Sequence, residues 1–285
     1  MITTSQEFKK CNAHAHSEFY PVAQIKKEND GIALHFSPDA QLVICNDQIR
    51  NNYLSSYAES LPVLLTRAEF QAENNKSIPD NHRLVTIGTF ITVQTNYGDI
   101  TPLLVRNGNI IESGCLTYPS GLLSESPQTA LWRETNEELG IIADGQIVIV
   151  NPTSERHMDD VIKSYKLSCK SRNETLKNIF ETNSQPFLKV PSTPTYNNSG
   201  TKINFSGIYN GSMNLIAIDN PSTHTINLIN TIKIDLKNKK ELRVFDPEHL
   251  NRDTEWIPTE ELEETTRPKT FALKQFLKMT DMIFS

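Results

Sequence analysis

The stretch Tyr118–Ile142, YPSGLLSESPQTALWRETNEELGII, decides how the rest of the chain is read. It sets Arg133, Glu134, Glu137 and Glu138 within six residues, just ahead of Gly140. Ser126-Pro127 reads as a helix start, with serine as N-cap and proline at the first helical position, where its missing N–H costs nothing. Gly140 reads as the helix stop. A step of ~100° per residue puts Leu131, Trp132 and Leu139 on one face, joined by Thr135 and Gln128. Glu134, Glu137 and Glu138 share another face, and Arg133 flanks it.

A solvated acidic face is the ordinary explanation, since glutamate favours helices. Two features oppose it. Glu134 stands at i,i+3 and i,i+4 spacing from Glu137 and Glu138, where like charges repel. No lysine on the helix offsets them, and acids late in a helix oppose its dipole. A divalent cation on this face would resolve the conflict. Ligands that are all carboxylate oxygens suit Mg²⁺ or Mn²⁺ rather than zinc. A hard cation that keeps some of its waters typically serves a phosphate substrate.

Together with Gly121 and Glu125, these residues resemble the signature of the Nudix (MutT-type) hydrolase family, G-x5-E-x7-R-E-U-x-E-E-x-G-U, where U is a bulky apolar residue. Seven residues separate Glu125 from Arg133, as in the family. The sequence departs from the pattern twice. Thr135 stands where the family has an apolar residue, and three residues rather than five separate Gly121 from Glu125. The resemblance implies an α+β fold, a Nudix-type α/β/α sandwich with a mixed sheet. It implies that Glu137 and Glu138 are the main Mg²⁺ ligands (Mn²⁺ being the alternative ion). Glu134 would be a ligand or position the attacking water, Glu125 an auxiliary ligand, and Arg133 the group that orients the glutamates by charge-assisted hydrogen bonds. Gly121 and Gly140 would serve the backbone. The family's general base varies, and Glu248 is the first choice here, ahead of Asp246, Asp253 and Glu255 in FDPEHLNRDTEW.

The implied activity is Mg²⁺-dependent hydrolysis of a diphosphate bond in a nucleoside diphosphate linked to another moiety, of ADP-ribose, dinucleotide or nucleotide-sugar type. This is a pyrophosphohydrolase acting on acid anhydrides, with a small-molecule nucleotide as partner. A non-catalytic nucleotide or ADP-ribose sensor of the same fold is the alternative, motivated by the shortened loop and by Thr135. An isoprenyl diphosphate isomerase has only Cys115 to recommend it.

The neighbourhood of the box agrees with the resemblance. RLVTIGTFITVQT and ITPLLVRN read as a hairpin around NYGD, GQIVIV as a strand after the box, and RPKTFALKQFLKMTDMIF as a terminal amphipathic helix. TEWIPTEEL reads as a loop leading into a short acidic helix. Residues 83–285 are then the hydrolase domain, with 151–225 an insertion. Within it DDVIKSYKLSCK reads as a strand, NETLKNIFETN as a short helix, and the Pro-, Asn- and Ser-rich run SQPFLKVPSTPTYNNSGTKINFSG as loop. Residues 1–82 form an N-terminal extension or small α+β unit. GIALHF and QLVIC there are two short strands parted by a turn, and NNYLSSYAESLPVLLTRAEFQAEN is helical with a break at Pro62.

Lesser candidates each carry a plainer reading. His14, His16 and Glu18 have metal-compatible spacing but sit in a polar N-terminus. Arg156 and His157 follow the post-box strand and could meet a phosphate, or simply belong to a loop. Phe90, Tyr97, Tyr118, Trp132 and Trp256 could stack on a base, although such residues are more often core.

The bulk numbers limit the function classes. The chain has 285 residues, 37% hydrophobic, with a net charge of -6. No basic stretch provides a footprint for nucleic acid, which leaves at most an RNA 5′ end. The four cysteines form no CxxC pair, and no apolar run approaches the ~20 residues of a membrane span. We therefore expect a cytoplasmic protein without membrane contact, with a homodimer open.

Overall fold

The computed structural model describes residues 18–44, 81–106, 112–151, 161–163, 165–167, 173–194, 200–221, 224–247 and 253–284. Two strands organise it. β3 (His82–Thr95) and β12 (Thr225–Asp235) lie parallel, paired from Leu84 with Thr225 to Gln94 with Asp235. Both are rich in β-branched residues, as buried parallel strands require.

The first half of this pair closes a barrel. β3 pairs with β1 (Glu18–Glu28), β1 with β2 (Gly31–Ile44), and β2 runs parallel to β10 (Thr201–Gly207). β10 pairs with β11 (Gly211–Asn220), and β11 returns to β12. Six strands thus form a ring. Its alternate residues, among them Ala23, Leu34, Phe36, Val85, Ile87, Ile203, Phe205, Leu215, Ile226 and Leu228, make one buried cluster, so side chains fill the interior.

The second half of the pair supports a curved sheet. On the β3 side it adds β4 (Gly98–Val105) and β14 (Thr254–Pro258). On the β12 side it adds β9 (Phe187–Pro194), β8 (Gln146–Asn151), β7 (Gly140–Ala143) and β13 (Leu242–Phe245). Two short strands, β5 (Leu116–Thr117) and β6 (Ser120–Leu122), pair with β4 and β3.

Helices cover both faces of β3. α1 (Pro127–Glu138) lies on the face carrying Val85, Ile87, Thr89, Ile91 and Val93. α3 (Phe271–Phe284) packs Leu273, Phe276 and Leu277 on the opposite face, around Phe90. α2 (Glu174–Thr182) buries Leu176 and Ile179 with Trp132, Ile147 and Ile149. The layers are helix, mixed sheet, helix, the α+β class that the signature implied.

Several sequence expectations are corrected. GIALHF and QLVI are parts of one strand, β2, with a register shift opposite Pro21–Ala23 instead of a turn, and Cys45 lies outside the described residues. β1 was missed altogether. Residues 161–163 and 165–167 are helical, not extended. Most of the Pro- and Asn-rich run is not loop but β9 and β10. TEWIP is the strand β14, and TEE forms a single 3-10 turn (Thr259–Glu261). The helix expected around Pro62 lies outside the described residues.

α1 does not present a single apolar face. Leu131 and Ala130 enter the barrel core, Leu139 joins the core of the curved sheet, and Trp132 joins the α2 layer. Each of the two leucines contributes about 1.5–3 kcal/mol by burial. Three separate cores therefore fix the helix, and its glutamates line the side that remains.

Candidate active site

Arg133 holds the site together. Its Nε donates to Glu125 Oε1 at 2.6 Å, one terminal nitrogen to Glu137 Oε2 at 2.7 Å, and the other to Glu134 Oε1 at 2.6 Å. One planar fork thus gathers three carboxylates from a loop and two helical turns. Burial works against the charge on Arg133, but the hydrogen bonds to Glu125 and Glu137 and the charges of Glu134 and Glu137 raise its pKa above the ordinary value. The shortened loop still brings Glu125 to Arg133. Glu138 is reached differently: the backbone N–H of Ser120, on β6, donates to its Oε2 at 2.7 Å. Sequence reasoning did not find that donor, because only the β6–β3 pairing brings Ser120 beside the helix.

Glu134 is the most enclosed of the acids, 9% exposed. Burial, opposed by Arg133 and aided by Glu138, pushes its pKa up to about 7. Gly121 explains how it fits. A Cβ at Gly121 would overlap the Glu134 carboxyl group, so the carboxyl rests directly on the β6 backbone. Gly140 has a different reason from the one expected. It stands just past the C-cap Leu139, as expected, but it begins β7 and its φ is not positive, so it is not the left-handed residue that such a stop uses. A Cβ at Gly140 would run into the ring of Phe245 on β13. Ser126 does precede the helix, but its hydroxyl pairs with Thr129 Oγ1 at 2.6 Å instead of capping a backbone N–H.

Thr135 and Asn136 anchor the helix by polar contacts. The Thr135 hydroxyl donates to the Leu131 carbonyl at 2.6 Å and lies 2.6 Å from Thr89 Oγ1, so Thr89 is left as the donor in that pair. The polar residue in an apolar position is thereby satisfied. Asn136 Nδ2 donates to the carbonyls of Trp132 and Val150 at 3.0 and 3.2 Å, tying α1 to β8.

Among the described residues, no three acidic, histidine or cysteine side chains already form a metal cage. The fork spreads the carboxylates around Arg133. It uses one oxygen of each of Glu125, Glu134 and Glu137, and the second oxygens are not part of it. All-oxygen donors on one side of one helix fit a hard cation such as Mg²⁺.

Glu248, Arg156, His157, His14 and His16 lie outside the described residues, as does the side chain of Glu18. Asp246 is buried, the Asp253 carbonyl accepts from the Val105 N–H at 2.8 Å, and Glu255 pairs with Arg267. Phe90, Tyr118 and Trp132 are core, Trp256 packs at the edge of the curved-sheet core, and Tyr97 is fully exposed at the β3–β4 turn.

The hairpin, box helix, following strand and C-terminal helix around a mixed sheet make a Nudix-type α+β arrangement. No family model matches the chain, and no curated protein matches it. Solved structures do. The Nudix domain of Shewanella oneidensis NrtR complexed with ADP ribose is 11% identical at a TM-score of 0.36, over 78% of this chain and 100% of that one. A C. elegans Ap4A hydrolase is 10% identical at 0.34, over 70% and 97%. A Nudix-family hydrolase from Clostridium perfringens is 15% identical at 0.31, over 70% and 98%. At these identities and TM-scores the overlap is loose, and the function proposed below rests on the side chains just described.

Proposed function

We propose that the protein is a Nudix-type pyrophosphohydrolase that uses Mg²⁺, or Mn²⁺, to cleave a nucleoside diphosphate linked to a second moiety. The observation that carries this reading is the Arg133 fork, which collects Glu125, Glu134 and Glu137 at 2.6–2.7 Å on the helix that also bears Glu138. Glu137, Glu138, Glu134 and Glu125 are the proposed ligands. When bound, the cation would neutralise the diphosphate and acidify a water. The chain's own residues set the geometry. Arg133 fixes three carboxylates in register, Ser120 N–H orients Glu138, and Gly121 lets Glu134 sit back against β6. Hydrolysis needs a base to take the proton of the attacking water as the phosphorus–oxygen bond breaks. Glu134 and Glu248 are proposed for that role.

We assign residues 83–285 to the hydrolase domain, with 151–225 as its insertion and 1–82 as its extension. Among the described residues no helix is long and apolar enough to cross a membrane. We place the protein in the cytoplasm on its cysteine pattern. Turnover of purified protein with Mg²⁺ on ADP-ribose, NADH, dinucleoside polyphosphates, nucleotide sugars and capped RNA tests the proposal. Cleavage of at least one is expected. Mg²⁺-dependent binding without product would favour the sensor instead, and neither binding nor cleavage would refute both.

A further inference from the structure

The exit from α1 is held between two cores. Leu139, its C-cap, is buried in the core of the curved sheet, and Gly140, the first residue of β7, lies under the ring of Phe245 from β13. The pairing of β13 with β7 sets Phe245 opposite Gly140, and the ring fills the space that a Cβ would take. The last turn of the helix bears Glu137 and Glu138 and has neither a basic side chain nor a left-handed cap. Packing at Leu139 and Gly140 therefore sets where that turn ends.

The Phe245 ring belongs to a row of aromatic rings. It lies 6.4 Å from the ring of Tyr165, at 53°. Tyr165 is 6.3 Å from Phe187 of β9, and Phe187 meets Phe180 of α2 edge-on at 5.5 Å. Tyr165, Phe187 and Phe180 all fall within residues 151–225, and all pack in the cluster that also buries Trp132 of α1. Tyr165 is buried, yet its hydroxyl has no hydrogen-bond partner among the described residues, so its ring supplies its contacts. The chemistry proposed for the site uses none of these rings.

We propose that Phe245 is a positioning residue for the cation ligands Glu137 and Glu138, and that the insertion acts on the site through it, with Tyr165 holding the Phe245 ring on Gly140. Interiors packed this closely transmit a displacement instead of absorbing it. Gly140 follows Glu138 by two residues and Glu137 by three, so a shift of its backbone moves both carboxylates relative to Arg133 and Glu125. The inference rests on the diphosphate-hydrolase reading and gives the insertion a role in that same site.

Mn²⁺ binding to the substrate-free protein, followed by the electron paramagnetic resonance signal of the free ion, tests this apart from turnover. Phe245→Leu and Gly140→Ala should each weaken Mn²⁺ about tenfold, as loss of a group that orients metal ligands does. The double variant should bind no more weakly than either single one, because the ring that the new methyl group meets is gone. Tyr165→Leu should also weaken Mn²⁺, whereas Tyr165→Phe, which keeps the ring, should bind it like the unaltered protein. Gly140→Ala displaces the ring without removing it, so it decides the question even if Phe245→Leu fails to fold. A purely structural role would lower Tm and leave Mn²⁺ affinity intact. Unchanged affinity in the folded variants, additive losses in the double variant, or an unaltered protein that binds no Mn²⁺ would each overturn the inference. Failure of the hydrolase reading alone shows differently, as Mn²⁺ bound but no substrate of the panel cleaved.

Discussion

The carboxyl group of Glu134 rests against the backbone of Gly121, so closely that no side chain fits between helix α1 and strand β6 at that point. Gly121 is in an extended strand without positive φ, so alanine is conformationally acceptable there. Gly121→Ala should therefore fold, displace Glu134, and lower kcat by about a hundredfold, because misplacement by about 1 Å is that costly. Circular dichroism and steady-state kinetics check it. Near-normal turnover would mean that the position of Glu134 is unimportant.

Arg133 makes three charge-assisted hydrogen bonds with one planar group. Lysine keeps the charge and loses the fork. Arg133→Lys should reduce turnover about a hundredfold with the fold intact, and added Mg²⁺ should restore part of it if misoriented ligands are the defect. Full activity in the lysine variant would show that charge alone suffices.

Thr135 and Thr89 are coupled across the helix–sheet boundary at 2.6 Å, both buried. Thr135→Val leaves the buried Thr89 hydroxyl without its acceptor and should cost about 1–3 kcal/mol in denaturant unfolding, whereas in Thr89→Val the Thr135 hydroxyl still donates to the Leu131 carbonyl and the loss should be smaller. The double variant, which removes both partners, should recover much of the loss. Additive losses would mean that the two hydroxyls do not depend on each other.

Burial holds the Glu134 carboxyl at a pKa of about 7, above its ordinary 4.5. The folded protein thus binds this proton more tightly than the unfolded chain does. The resulting stability is fully present below pH 4.5 and is lost as pH rises through about 7. Without divalent cations, Glu134→Gln should flatten this part of the Tm-against-pH profile. Parallel profiles for the variant and the unaltered protein would exclude Glu134 as the source.

The local parts of this molecule were readable in its sequence, and the long-range ones were not. Ser126-Pro127 marks the start of α1, and the β-branched residues of β3 and the turn at Tyr97-Gly98 mark the hairpin, because each depends on near neighbours. The barrel depends on parallel pairing of β2 with β10 and of β3 with β12, between segments far apart in the chain. Nothing local announces that, and the prolines, asparagines and serines around β9 and β10 argue the other way. Gly140 shows the same limit. Its place after the helix suggested a stop signal, but the Phe245 ring, brought in by the β7–β13 pairing, is what a side chain would meet. That Arg133 orients the glutamates was implied by the family resemblance and not by spacing. The Ser120 donor and the Thr89 partner both come from other strands.

The glutamates of α1 are proposed to form a cation-dependent hydrolytic site. The most direct measurement is turnover of the best substrate in the panel by Glu137→Gln and Glu138→Gln, with Mg²⁺ varied and folding followed by circular dichroism. Both variants should keep the fold and lose at least about a thousandfold in kcat, because each loses a carboxylate proposed to hold the cation that stabilises the charge of the transition state. Activity within a few-fold of the unaltered protein, or hydrolysis that persists when the cation is chelated, would contradict the account.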